Sequence, residues 1–274
     1  MLAQFILALR EGLEAALTLV IPAAYLRKIG KSELNKYLYL GSGLAVLASI
    51  LVAAVFWTLY GYAESLVGLW FEAFTMFTAA GVLTYMILWM AKNARGLRGE
   101  LQKKVGVAIS SGQLLGITFL ALTSVLREGV ETILFLSAST ILSLTDTVVG
   151  ASLGLIVTLA VSVLLMRGSL RLDWRKFFMY TSVLLILLAS GIVMHGAESL
   201  QELGILSPLM KHVYDLSAVL PEGGAVGSLI HILTGYHDSP SLMMLMVQLG
   251  YLAVFGVYTW RVYSAPPQIG QTEG

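Results

Sequence analysis

The sequence predicts an all-α membrane protein: seven transmembrane helices, a 3+3 inverted repeat plus one, N-terminus outside and C-terminus cytoplasmic. Three observations predict it. Of 274 residues, 57% are hydrophobic and only 12% are charged, about half the charged fraction of a soluble domain. Apolar runs long enough to cross a hydrocarbon layer of ~30 Å alternate with short connections, and basic residues gather in every second connection. A charged motif, Arg10-Glu11-Gly12-Leu13-Glu14-Ala15, lies inside the first run and returns inside the fourth as Arg127-Glu128-Gly129-Val130-Glu131.

The first span is expected over residues 2–26, with Pro22 near its exit. A cleaved signal would need a basic leader and an unbroken apolar core. Here the first nine residues lack a basic side chain, and the motif interrupts the run. A basic loop follows (Arg27, Lys28, Lys31, Lys36), then span two over 37–60 and a turn at 61–65 holding Glu64. Span three covers 67–91 and contains Glu72 near one end. The second basic loop carries Lys92, Arg95, Arg98, Lys103 and Lys104. Residues 105–145 are apolar for about twice the length one crossing needs. We read 105–113 as a cytoplasmic lead-in and 114–143 as span four, which centres the second motif; two shorter segments are the alternative and would invert everything downstream. Asp146 marks a turn, and span five is 147–166. The third basic loop has Arg167, Arg171, Arg175 and Lys176. Span six is 177–196, and span seven is 242–263. The connection between them, 197–240, is rich in acids and histidines, with interfacial or re-entrant helix expected near 210–220 and 224–233. The tail, 264–274, is expected to be disordered. All of 1–263 forms one transmembrane domain in this reading.

The three basic loops and Arg261 hold fourteen of the seventeen Lys and Arg. Placing them in the cytoplasm satisfies the positive-inside rule. The first motif helix then runs outside to inside and the second inside to outside. Repeat one (1–91) and repeat two (105–197) have the same helix order and opposite orientation, and transporters built this way bind substrate near the midplane between repeats.

On a helix, Glu11 and Glu14 share a face, as do Glu128 and Glu131, and each Arg stands four residues before the second Glu of its motif. Six ionised groups at such depth carry a penalty of roughly 15–20 kcal/mol before any pairing. Four converging carboxylates are hard oxygen ligands, suited to Fe3+, Fe2+ and Mn2+ rather than to soft ions. Against two Arg they leave a formal charge of −2, which a divalent ion neutralises. The chain has no cysteine, which excludes disulfides, thiolate sites and iron–sulfur clusters. The plainer alternative is an Arg–Glu clamp between helices, but buried ion pairs often stabilise no better than apolar packing, and four acids over-supply two Arg.

Paired Arg-Glu-x-Leu-Glu motifs in the first and fourth of seven helices resemble those of the oxidase-dependent high-affinity iron permeases, the family of the fungal plasma-membrane iron permease and the bacterial Efe-type permease. Val130 replaces Leu in the second copy. Phe71-Glu72, the run from Tyr214 to Leu220, and Gly235-Tyr236 extend the likeness over essentially the whole chain. Leu69 and Trp70 stand where several members have a further acid before the Phe-Glu. The resemblance implies a permease in the plasma membrane, bacterial inner membrane by the Efe likeness, importing iron as Fe3+ or Fe2+. It implies Glu11, Glu14, Glu128 and Glu131 as ligands, with Arg10 and Arg127 as their ion-pair partners. It also implies a separate oxidase or periplasmic iron-delivery protein as partner, and neither an organic cofactor nor nucleic acid. A lead-uptake branch shares the motifs, so Pb2+ and Mn2+ remain alternatives. A membrane di-metal enzyme is the other; such bundles use Glu-x-x-His pairs, and neither motif contains His.

Glu72, His195, Glu198, Glu202 and Asp215 are candidates for an outer pathway or capture site; the plainer reading of each is a solvated span end or loop. His212, His231 and His237 show no ligand spacing that compels a site. Met243, Met244 and Met246 read as packing, and Tyr37, Tyr60, Trp89, Trp174 and Trp260 as interface anchors.

Overall fold

The structure, a computed structural model, describes residues 1–62, 66–93, 96–110, 114–140, 144–166 and 174–264. The expected turn at Glu64, residues 111–113, the loop with Arg167 and Arg171, and the tail beyond Ser264 lie outside the described residues.

The described residues form helices without strands. The long ones are α1 (Leu2–Lys28), α2 (Asn35–Tyr62), α3 (Leu66–Asn93), α5 (Leu114–Thr140), α6 (Leu144–Met166) and α7 (Trp174–Glu202). Shorter ones are α4 (Leu97–Ser110), α8 (Ala225–Thr234), α9 (Leu242–Tyr251) and α10 (Val257–Ser264), the last two joined by a π-helical turn at Leu252–Gly256.

Among the described residues, five segments are long and apolar enough to cross a membrane: Ser32–Phe56, Gly68–Asn93, Leu144–Met166, Lys176–Glu202 and Leu242–Ser264. The two remaining long helices, α1 and α5, have 27 residues each, about 40 Å of helix. Each carries a motif whose three charges lower its apolarity. They lie inward, with Arg10, Glu11, Glu14 and Glu128 buried. The outward faces belong to α2 and α6, where Leu44, Leu47, Leu51, Ile156 and Leu159 are exposed.

Helix ends follow local chemistry. Gly30 and Gly204, both at positive φ, close α1 and α7. In each, the glycine N–H and the next N–H reach back to helix carbonyls: Gly30 to Arg27 and Lys31 to Leu26; Gly204 to Gln201 and Ile205 to Leu200. This is the Schellman arrangement, and it corrects the expected end of span six. Gly196 is mid-helix and packs on Phe77, so α7 continues to Glu202 and carries His195, Glu198 and Glu202 with it. A second correction concerns residues 97–110, expected as loop and lead-in. Leu97, Leu101 and Val105 repeat at helical spacing and pack against neighbouring helices, while Glu100 and Lys104 pair at 2.7 Å; the charges masked that period. Asp146 belongs to the first turn of α6, where its charge suits the helix N-terminus. Of the two helices expected in the long connection, only the second forms, as α8; residues 210–220 are turns and bends.

The long helices pair across the two halves of the chain: α1 on α6, α2 on α5, α3 on α7, with α1 also on α5. Exchanging the halves leaves this pattern unchanged, and the correspondence reaches single residues. Gly12 faces Thr158, and Gly129 faces Ser49. Gly41 abuts Thr118 and Ala121, and Gly150 abuts Met1 and Gln4. Laying Arg10 on Arg127 lays Met1 on Thr118 and Gln4 on Ala121. The C-terminal end of α1 shares a core with the start of α5, while the α1 start and the α5 end line one cavity, so the two run antiparallel.

At Gly41 and Gly150 the obstacle to a side chain is a neighbouring carbonyl, which no rotamer change relieves. Gly41→Ala and Gly150→Ala are each expected to destabilise the bundle by about 1–3 kcal/mol, as overpacking does. Lowered thermal stability of the detergent-solubilised protein, against an unchanged Gly43→Ala control with open space around it, checks this.

Candidate functional site

Near the middle of α1, Arg10 is fully buried and its planar fork is shared. Nη1 donates to Glu11 Oε1 at 2.8 Å and lies 3.0 Å from Met86 Sδ; Nη2 is 3.0 Å from Glu14 Oε1. On α5, Arg127 donates to Glu128 Oε1 through Nη2 and, at 3.1 Å, through Nε, which also lies 3.7 Å from Glu131 Oε1. The sequence spacing anticipated the i,i+4 pairs. The pairing of each Arg with its immediate neighbour was not legible, since adjacent residues diverge around a helix and only the length of the Arg stem brings them together. The halves differ in burial. Arg127 is 49% exposed and rests over the Trp89 ring at 5.5 Å.

Glu11, Glu128 and Glu131 each offer one carboxylate oxygen, all within 4.8 Å of one another. Glu14 is buried beside them but belongs to the Arg10 pair and not to this trio. On each of the four glutamates, Oε2 is buried and has no hydrogen-bond partner among the described residues. Buried carboxylate oxygens without donors are costly; a proton or a cation relieves that cost.

A second group forms at the end where α1 begins and α7 finishes. Glu72 on α3 is half-buried beside Ser199, and Glu198, Glu202 and His195 act on it electrostatically. His195 Nδ1 is 3.1 Å from Glu198 Oε2, and His237 Nε2 is 3.4 Å from Glu198 Oε1. His231 on α8 places Nδ1 at 2.8 Å from Glu222 Oε1 and 2.7 Å from the Tyr236 carbonyl. Glu222, His237 and Asp238 bring one ligand atom each within 4.8 Å. Glu202, at the end of α7, is exposed. Asp215 is exposed and accepts from Ser217 N and Oγ at 3.0 and 2.6 Å, a local turn that lowers its carboxyl below the ordinary value. His212 is exposed near the Ser239 carbonyl. His231 and His237 show no ligand spacing in the sequence that compels a site, and Glu222 and Asp238 belong to no motif. The one available signal was their position flanking and within an apolar helix; their convergence depends on the connection folding back, as when Glu222 N donates to Asp238 Oδ2.

The iron permease FTR1 family model matches residues 1–263. The chain belongs to that family. As a member of it, the chain is a transporter and not an enzyme. It is similar to an uncharacterized protein of Archaeoglobus fulgidus, 37% identical over 261 residues, 92% of each chain. It is 28% identical over 278 residues to the ferrous iron permease EfeU of Shigella sonnei and to a putative inactive ferrous iron permease EfeU of Escherichia coli K12, covering 99% of this chain and 98% of each relative. No solved structure matches the chain. Family membership together with several apolar helices makes it a multi-pass membrane protein, with iron as the family's transported substrate.

In this second group, His237 is raised above the ordinary imidazole value, first by its bond to Glu198 and then by the charges of Glu198, Glu222 and Asp238. Burial, with His195 nearby, lowers His231. A raised histidine stabilises its docked position fully below the unfolded value and loses that contribution as pH rises through the folded one. Hydrogen exchange in 213–241, corrected for intrinsic rates, is therefore expected to quicken from about pH 6.5 upward, and His237→Gln is expected to remove that step. Exchange slowing with pH would reverse the assignment.

Proposed function

We propose that this chain imports iron as Fe2+ through a centre formed by Glu11, Glu128 and Glu131, with Glu14 held in reserve on Arg10. The observation that carries the reading is the meeting of three carboxylates from two antiparallel helices within 4.8 Å, in the interior of an apolar bundle. Their orphaned oxygens are the acceptors an oxygen-loving cation needs. Formal charge favours a divalent ion: four Glu and two Arg leave −2. The similar ferrous iron permeases support the same valence.

In this reading α1 and α5 join the five apolar segments as spans, giving seven, arranged as two inverted repeats with a seventh helix. The end rich in His195, Glu198, Glu222 and His237 faces outside. Arg27, Lys28, Lys31, Lys36, Lys92 and Lys176 cluster at the opposite end, which the positive-inside rule places in the cytoplasm of a plasma-membrane protein. Iron arrives at the acidic end already as Fe2+, from a separate periplasmic delivery protein, and Glu72, Glu198 and Glu202 lie on its approach. The Arg10 fork divides between Glu11 and Glu14, so an arriving cation takes over Glu11 while Arg10 keeps Glu14. The centre then never holds three unpaired carboxylates.

The test is anaerobic uptake of 55Fe2+ into proteoliposomes holding the purified chain. Glu11→Gln, Glu128→Gln and Glu131→Gln are each expected to lower uptake at least ~10–100-fold, the loss that typically follows damage to a metal shell, with gel filtration showing retained fold. Normal uptake by these variants would remove the centre. Arg10→Lys keeps the charge but cannot span both carboxylates, and is expected to slow transport about tenfold or more; a wild-type rate would show that the fork has no part in it.

A further inference from the structure

A small, partly open cavity of about 40 Å³ lies between the outer group and the carboxylate centre. Gln4, Met76, Ala138, His195 and His231 are among the residues lining it. It has room for one water-sized occupant. Two polar atoms on its lining residues, His195 Nε2 and Gln4 Oε1, are buried and have no hydrogen-bond partner among the described residues, and both residues are more than nine-tenths buried.

The outer contacts of the two histidines fix which nitrogen carries the proton. A carboxylate only accepts, so the neutral His195 ring donates Nδ1–H to Glu198. Nδ1–H of His231 is likewise taken by the Tyr236 carbonyl and by Glu222. On each ring Nε2 is then the lone-pair nitrogen. A histidine whose other N–H is held by a carboxylate or carbonyl is the usual form of a metal-ligating imidazole. The rings are 4.8 Å apart, centroid to centroid. Their proximity depends on Gly191 and Gly235, whose Cα atoms leave no space for a side chain on either; Gly235 is also at positive φ where it ends α8. Gln4 lies on the same face of α1 as Glu11, two turns earlier.

We propose that this cavity is a second cation site, binding one divalent transition-metal ion through His195 Nε2, His231 Nε2 and Gln4 Oε1. It rests on the reading of the carboxylate centre, which it precedes on the inward path. Imidazole nitrogen takes Fe2+ and its neighbours readily, whereas Mg2+ and Ca2+ prefer an all-oxygen shell. The cavity therefore selects for transition metals before the oxygen-only centre is reached, a choice that carboxylates alone make poorly. The other ring nitrogens, bonded to Glu198 and Glu222, connect this site to the outer acids through single imidazoles.

Equilibrium binding of anaerobic 55Fe2+ to the full-length chain in lipid nanodiscs tests this. Wild type is expected to bind one ion more than His195→Gln/His231→Gln, and the ion lost is the one that a hundredfold excess of Mg2+ fails to displace. Gln4→Leu leaves both rings in place and is expected to weaken that site about tenfold or more, so the test survives if the histidine variant fails gel filtration. Unchanged stoichiometry and affinity in both variants, or displacement of this ion by Mg2+, would overturn the proposal. A loss confined to Glu11→Gln/Glu128→Gln would overturn it while leaving the carboxylate centre standing. A loss confined to the histidine variant would keep the cavity site and remove the carboxylate one.

Discussion

Everything in this bundle is arranged around the need to keep Arg10 and its carboxylates together away from water. A buried pair broken by loss of one partner costs about 3–5 kcal/mol, so neither α1 nor α5 tolerates movement that separates charge from countercharge. Arg10 satisfies this with one planar group that reaches Glu11, Glu14 and Met86 at once. The two motif helices therefore occupy the interior, and α2 and α6, apolar through their middles, expose Leu44, Leu47, Leu51, Ile156 and Leu159.

Such proximity requires that helices approach closely, and small residues permit it. The Gly12–Thr158 and Gly129–Ser49 contacts lie within the motifs themselves, so the glycine of each Arg-Glu-Gly is the point where a neighbouring helix presses against the charged turn. Helix association in lipid lacks a hydrophobic drive and depends on such packing. The motif thus joins two features in consecutive residues: carboxylates on one side of the helix and a smooth contact on another. The two halves match in these contacts and differ in charge burial, with Arg10 enclosed and Arg127 half-exposed on Trp89. The centre consequently meets its surroundings unequally on its two sides.

At the end where α1 begins and α7 finishes, tertiary folding gives the long connection its meaning. Val213 N and Leu216 N donate to the carbonyls of Pro240 and Asp238, Gln201 bonds Ser241, and Gln248 holds the Thr234 carbonyl at the end of α8. These bonds tie α7, α8 and α9 into one unit and set His231 against His195. Asp215, close to them in composition, is spent on a turn of its own.

The sequence by itself determined the helical class, most span positions, the pairing of each Arg with the Glu four residues on, and the family, because hydrophobic length and helical spacing are local properties. Two helix limits differ for local reasons as well: charges obscure the apolar period of Leu97, Leu101 and Val105, and the apolar run of span six ends near Gly196 while the helix continues to the turn at Gly204. Only the tertiary structure decided which carboxylates meet, that Glu14 stands apart from Glu11, Glu128 and Glu131, and that histidines from α7 and α8 share a cavity with Gln4. Those contacts join residues from different helices. Their distances depend on how backbones pack at glycines, a three-dimensional fit that no spacing along one chain segment encodes.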